Sequence, residues 1–237
     1  MGLFSRRRKA DQEPAEVATA PAAEEDAPER PERGPWDVAH EPELGQRLDL
    51  GALRVPARPG LKVRMELEKR TRQIVAVSLS VSGSALQVQA FAAPRSGGLW
   101  EDLRPEIAAS VEKQGGTADE VDGPFGREIL ARLPVTTQDG RMGHRPARFL
   151  GVDGSRWFLR GVLSGRAAID PDAAKELEEL FADVVVVRGQ EARPPRDVLT
   201  LQMPGKAAAA ETEAAEAPAE TTSFDPLSRG PEITEIR

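Results

Sequence analysis

Between Leu61 and Ala93 apolar and polar residues alternate with a period of two, and this pattern constrains the fold more than any other feature of the chain. In Leu61–Glu68, Val63, Met65 and Leu67 alternate with charged neighbours. In Gln73–Val81, Val75, Val77, Leu79 and Val81 fall on one face. Ser82-Gly83-Ser84 supplies a short turn, and Ala85–Ala93 continues with Leu86 and Val88. These half-buried strands, within a strand-rich stretch from Leu50, predict an antiparallel meander.

The period changes after Ser96-Gly97-Gly98. Trp100, Leu103, Ile107 and Val111 recur three and four apart, which is one helix face, and Gly115-Gly116 suits its end. Strands resume at about Glu128–Leu133. Ala147–Val152 and Ser155–Leu163 flank Asp153-Gly154, a signal for a two-residue type I′ hairpin. That turn sets Leu150 opposite Trp157 and Phe149 opposite Phe158. Leu150, Val152, Trp157 and Leu159 then form a core face, while Phe149 and Phe158 share the other with Arg156 and Arg160. Asp170-Pro171 opens a second helix, because Asp caps and Pro fits the first helical position. Val184–Val187 reads as a strand buried on both faces, and Leu199–Met203 as a last extended piece. Clustered strands and two helices predict an α+β fold: a mainly antiparallel sheet with both helices packed on it.

Composition sets the limits of this domain. Residues 1–35 hold six basic and eight acidic residues among repeated Ala, Pro and Glu, and residues 205–237 hold three basic and seven acidic. Both segments are too poor in apolar residues to offset their ordering entropy, so disordered tails are expected around a single domain at 36–204. The start, MGLFSRRRK, is followed by ADQEPAEVATAP and not by an apolar export core, and no stretch approaches a bilayer span. The expected location is therefore the cytoplasm.

Three strings carry a family likeness. FAAPRSGGLWEDLR (Phe91–Arg104), RWFLRGVLSG (Arg156–Gly165) and DVVVVRG (Asp183–Gly189) occur in the order seen in an actinobacterial family catalogued as domain of unknown function 3710, which the chain resembles over roughly residues 36–204. The closing RGPEITEIR (Arg229–Arg237) is also similar. The resemblance implies a bacterial cytoplasmic protein and implies no reaction.

The chemistry is limited by what is missing. Without Cys there is no thiol nucleophile, disulfide or thiolate metal site, and two histidines, His40 and His144, build no metal cage. His144 lies in the Gly-rich DGRMGHRPA loop, and no GxSxG, GxGxxG or GxxxxGK[ST] motif occurs. Neither catalytic residues, a metal nor a cofactor is expected. An anion site, and with it an enzyme acting on a small anionic substrate, would have to use Arg95-Ser96-Gly97-Gly98, where a strand meets a helix N-terminus.

Charge segregation points elsewhere. Residues 54–72 carry seven basic and two acidic residues, and 141–166 carry six Arg and one Asp, whereas 101–122 and 170–183 are strongly acidic. Intramolecular balance between strand arginines and helix carboxylates is one outcome. A basic strand face open to a partner is the other. Arg148, Phe149, Arg156, Phe158 and Arg160 would be a nucleic-acid surface if the aromatics are exposed for stacking. The leading expectation is a non-enzymatic binding or adaptor module with a protein partner. Phe224, Leu227, Ile233 and Ile236, beyond an Ala/Glu run, form a candidate linear motif that docks on a partner or folds back on the sheet edge.

Overall fold

The computed structural model describes residues 33–40, 46–136 and 140–205. Both expected tails, and with them Phe224, Leu227, Ile233 and Ile236, lie outside the described residues.

The strands are β1 (Trp36–Asp37), β2 (Arg47–Asp49), β3 (Leu53–Pro56), β4 (Lys62–Leu67), β5 (Ile74–Val81) and β6 (Ser84–Ala92), then β7 (Thr117–Gly123), β8 (Gly126–Thr136), β9 (Met142–Asp153), β10 (Trp157–Ser164) and β11 (Val185–Val186). Helix α1 spans Leu99–Lys113 and α2 spans Pro171–Ala182. Seven strands form one antiparallel sheet in the order β4-β5-β6-β10-β9-β8-β7. The expected meander is its first half. A second meander, β7 to β10, runs back and joins it through the β6–β10 pairing, from Trp157↔Ala92 to Ser164↔Ala85. A smaller sheet has the order β1-β11-β3-β2, with β1 and β11 parallel. The architecture is α+β.

The period-two pattern works because the large sheet is covered differently on its two faces. Leu86 and Val88 of β6, Leu150 of β9, and Trp157, Leu159 and Leu163 of β10 meet Leu177, Leu180 and Phe181 of α2, together with Leu53, Val55 and Val186 of the small sheet and Val184 just before it. On the opposite face Leu99, Trp100 and Val111 of α1 cover Ile129, Ala131 and Phe158. Helix α2 begins as its sequence requires: the Asp170 carboxylate accepts from the N–H of Asp172 (3.0 Å) and of Ala173 (3.4 Å), and Pro171 follows.

Three expectations need correction. The β9–β10 connection is not a two-residue turn. Phe158 pairs with Asp153 and Leu159 with Val152, so Gly154–Trp157 is a four-residue loop closed by Gly154 N–H to the Trp157 carbonyl at 2.8 Å. Arg156 in that loop takes φ 63°. The shift from the expected register is four residues, an even number, so each side chain keeps its assigned face. His144 is not in a loop, since β9 begins at Met142 and sets His144 opposite Pro134. Strand β7, Thr-Ala-Asp-Glu-Val-Asp-Gly, was not anticipated because it is a polar edge strand without an apolar face.

The last described segment ties the two sheets together. Val198 bridges Phe91, and Leu201 bridges both Ile74 of the large sheet and Gly51 beside the small one. The Leu201 N–H donates to the Ile74 carbonyl and the Gln202 N–H to the Leu50 carbonyl, each at 2.8 Å.

Trp157 is buried in the α2-side core, and its indole N–H donates to Asp37 Oδ2 at 2.8 Å. Trp157→Ala is expected to lower the unfolding free energy by about 3–5 kcal/mol. Urea denaturation followed by circular dichroism checks this, and an unchanged midpoint would reverse the face assignment.

Candidate functional site

The Arg95–Gly98 turn is built as a turn. Gly97 and Gly98 adopt φ 65° and 82°, a backbone that favours glycine. The helix N–H groups it presents are already engaged: Asp153 Oδ1 accepts from Leu99 N–H and Oδ2 from Trp100 N–H, both at 3.1 Å. The anion at this helix end is therefore the protein's own carboxylate, sent from the end of β9. Arg95 and Ser96 are exposed beside it.

The expected aromatic–arginine platform does not assemble either. Phe158 is fully buried beneath α1, stacked on Trp100 with ring centroids 5.8 Å apart, and Phe149 packs in the same cluster. Arg160 donates to Gln89 and lies over the Phe91 ring at 5.4 Å. Arg148 is on the opposite face, where it bonds Glu178 of α2. Arg156 sits in the hairpin loop, its carbonyl accepting from Ala93 N–H and Arg188 Nε. The alternation separated the faces correctly, but it carries no information that a helix roofs the second one.

Helix carboxylates account for much of the strand charge. Arg58 bonds Asp183 at 2.6 Å and Glu179 at 3.4 Å, Arg148 pairs with Glu178, and Arg196 holds Glu106 through both guanidinium nitrogens. The β4–β5 hairpin is different. Strand β4 is an edge of the large sheet, with no strand on its outer side among the described residues. Lys62, Arg64, Lys69, Arg70 and Arg72 are exposed, and none of the ion pairs among the described residues uses them. The two acidic residues nearby are engaged, Glu66 by the Gln87 amide and Glu68 by the Thr71 hydroxyl. Val63 and Leu67 are 38% and 52% exposed along the same edge. Sequence reading found the basic stretch and the alternation but not the edge position, which depends on which strands pair.

A family model described as "Protein of unknown function (DUF3710)" matches residues 34–210. The chain belongs to this family. No curated protein matches it. Among solved structures, the chain is similar to a cyanobacterial PsbP (CyanoP) from Synechocystis sp. PCC 6803, with 16% identity and a TM-score of 0.34, covering 60% of this chain and 91% of that one.

Two further features of this family member concern chemistry. A depression of about 340 Å³ is lined by Arg33, Trp36, Arg58, Glu179 and Asp183, among others, but Arg58 is spent on the two carboxylates. Arg33 lies over the Phe125 ring at 4.8 Å. Among the described residues no acidic or histidine cluster could hold a metal, and no helix is long and apolar enough to cross a membrane.

The other feature is Glu128, fully buried on the α2 side of β8. Arg148 Nε lies 3.5 Å from its carboxylate while the same guanidinium bonds Glu178. Gly123 makes room for it, since a Cβ there would fall 2.1 Å from the carboxyl carbon. Burial pushes the Glu128 carboxyl up from 4.5 to about 7, against the pull of Arg148 and the Phe125 N–H, with Glu178 adding to the rise. The folded state therefore keeps this proton up to about pH 7, whereas the unfolded chain releases it near 4.5. Its contribution to stability is complete below the lower value and is lost as pH rises to the upper one. Glu128→Gln is expected to match the wild type near pH 4.5 and to exceed it by on the order of 3 kcal/mol at pH 8. Denaturation midpoints of both proteins across pH 4.5–8 measure this, and a pH-independent difference contradicts it.

Proposed function

We propose that the chain is a non-enzymatic cytoplasmic module that binds an acidic, extended segment of a partner protein along the outer edge of β4. The observation that carries this reading is the coincidence, on one open strand, of exposed cations outside every ion pair among the described residues with the exposed apolar side chains Val63 and Leu67. An added strand gains main-chain hydrogen bonds from such an edge and its specificity from alternate side chains. Charge alone would serve to keep edges apart. Two apolar side chains on the same edge add a surface that a purely protective edge has no use for. The β4–β5 hairpin gathers five exposed cations that no ion pair among the described residues uses.

A labelled peptide of about twelve residues alternating Glu and Val is the probe, with its Lys/Val counterpart and a single-stranded oligonucleotide as controls. The acidic peptide is expected to bind the full chain and to weaken with added salt. Lys62→Glu with Arg64→Glu is expected to reduce its affinity roughly tenfold without moving the unfolding midpoint. Retention of the oligonucleotide but not the peptide would replace this reading with nucleic-acid binding.

A further inference from the structure

We infer that the chain carries its own occupant for this edge: residues 206–237 dock on the β4–β5 hairpin and compete with the partner segment. The inference rests on the proposed binding edge and adds the identity of its resident ligand. Three observations carry it.

The first is position. The described chain ends at Gly205, four residues after Leu201, whose N–H bonds the Ile74 carbonyl. Ile74 in turn pairs with Leu67, the last residue of β4. Leu201 therefore lies about two strand spacings, roughly 10 Å, from the end of the open edge, and segment 206–237 begins five residues later. The six residues of β4 cover about 20 Å. The eighteen residues 206–223 reach at most about 60 Å, so Phe224 and all that follows can be set anywhere along the strand.

The second is charge. Residues 206–237 contain seven acidic and three basic residues, and the hairpin from Lys62 to Arg72 contains five basic and two acidic. Glu211, Glu213, Glu216 and Glu220 are the first acidic residues after Gly205, and Lys69, Arg70 and Arg72 lie in the hairpin turn next to Ile74.

The third is apolar content. Phe224, Leu227, Ile233 and Ile236 follow the acidic run, and Val63 and Leu67 are the exposed apolar side chains of the edge. Covalent attachment makes this segment a competitor at millimolar effective concentration, so a partner must be both acidic and better matched than the resident segment.

The test keeps the full chain. In one variant Glu211, Glu213, Glu216 and Glu220 are changed to Gln, and in another Ile233 and Ile236 are changed to Ser. Hydrogen exchange is read at the amides of β4, with β9 and β10 as internal reference, and the Glu/Val peptide is titrated into each protein. Docking predicts β4 exchange at least tenfold faster in the Gln variant, unchanged exchange in β9 and β10, and peptide affinity at least fivefold higher than in the wild type. Equal exchange and equal peptide affinity in all three proteins overturn the inference and leave the binding edge standing. Peptide binding to none of them, with fast β4 exchange throughout, overturns both. Slow β4 exchange in the wild type alone, without peptide binding, supports the intramolecular contact and removes the partner reading.

Discussion

The arrangement of layers depends on two aromatic rings packed against glycines of the central strands. Trp100 of α1 sits where a Cβ on Gly151 would come within 2.2 Å of its ring, and Phe181 of α2 sits where a Cβ on Gly161 would come within 2.8 Å. Gly151 pairs with Arg160 and Gly161 with Leu150, so the two glycines occupy adjacent rungs of the β9–β10 ladder and open opposite faces. Each helix is thereby admitted against bare backbone, and its aromatic side chain covers the sheet at van der Waals distance. Two residues beyond Gly151, Asp153 caps α1. A three-residue stretch of one strand thus fixes both where α1 lies and where it starts. The functional consequences are direct. Phe158 is lost as a stacking surface because Trp100 lies on it, and the helix N-terminus is lost as an anion site because Asp153 fills it.

What the sequence made legible was local. Alternation identified β4, β5 and β6, since a strand's face depends only on residue parity. The Asp-Pro start of α2 was legible because capping is decided within one turn. The faces of the β9–β10 hairpin survived a wrong register because the shift was even. What could not be read was decided at long range. Leu133 and the other apolar residues of β8 announced a strand, but nothing in Thr117–Gly123 announces its partner β7. Glu128 looks like any strand glutamate, and its burial depends on Arg148 and Glu178, twenty and fifty residues away. The openness of β4 was equally hidden, because an edge is defined by the strand that is not there.

The sheet has two edges of opposite sign, and the fold treats them differently. Strand β7 carries Asp119, Glu120 and Asp122, and its charge is met from within: Arg104 of α1 approaches Glu120 and Arg127 of β8 approaches Asp122. Strand β4 carries Lys62 and Arg64, and among the described residues no helix or loop supplies a counter-charge. Exposed surface pairs contribute little to stability, so this difference has little weight in folding. It matters for encounter, where uncompensated charge raises association rates for an oppositely charged chain and disfavours like-charged ones.

The segment Val198–Gln202 connects these two themes. By bonding Ile74 on one side and Leu50 on the other it closes the seam between the sheets, burying Leu199 and Leu201 in the same core as α2. A seam closed at that point has one geometric result beyond stability. The last described residues run beside the turn of the β4–β5 hairpin, where Leu201 bonds Ile74. The same backbone hydrogen bonds that hold the two sheets together therefore set Leu201 beside the turn of the β4–β5 hairpin, whose cations no ion pair among the described residues uses.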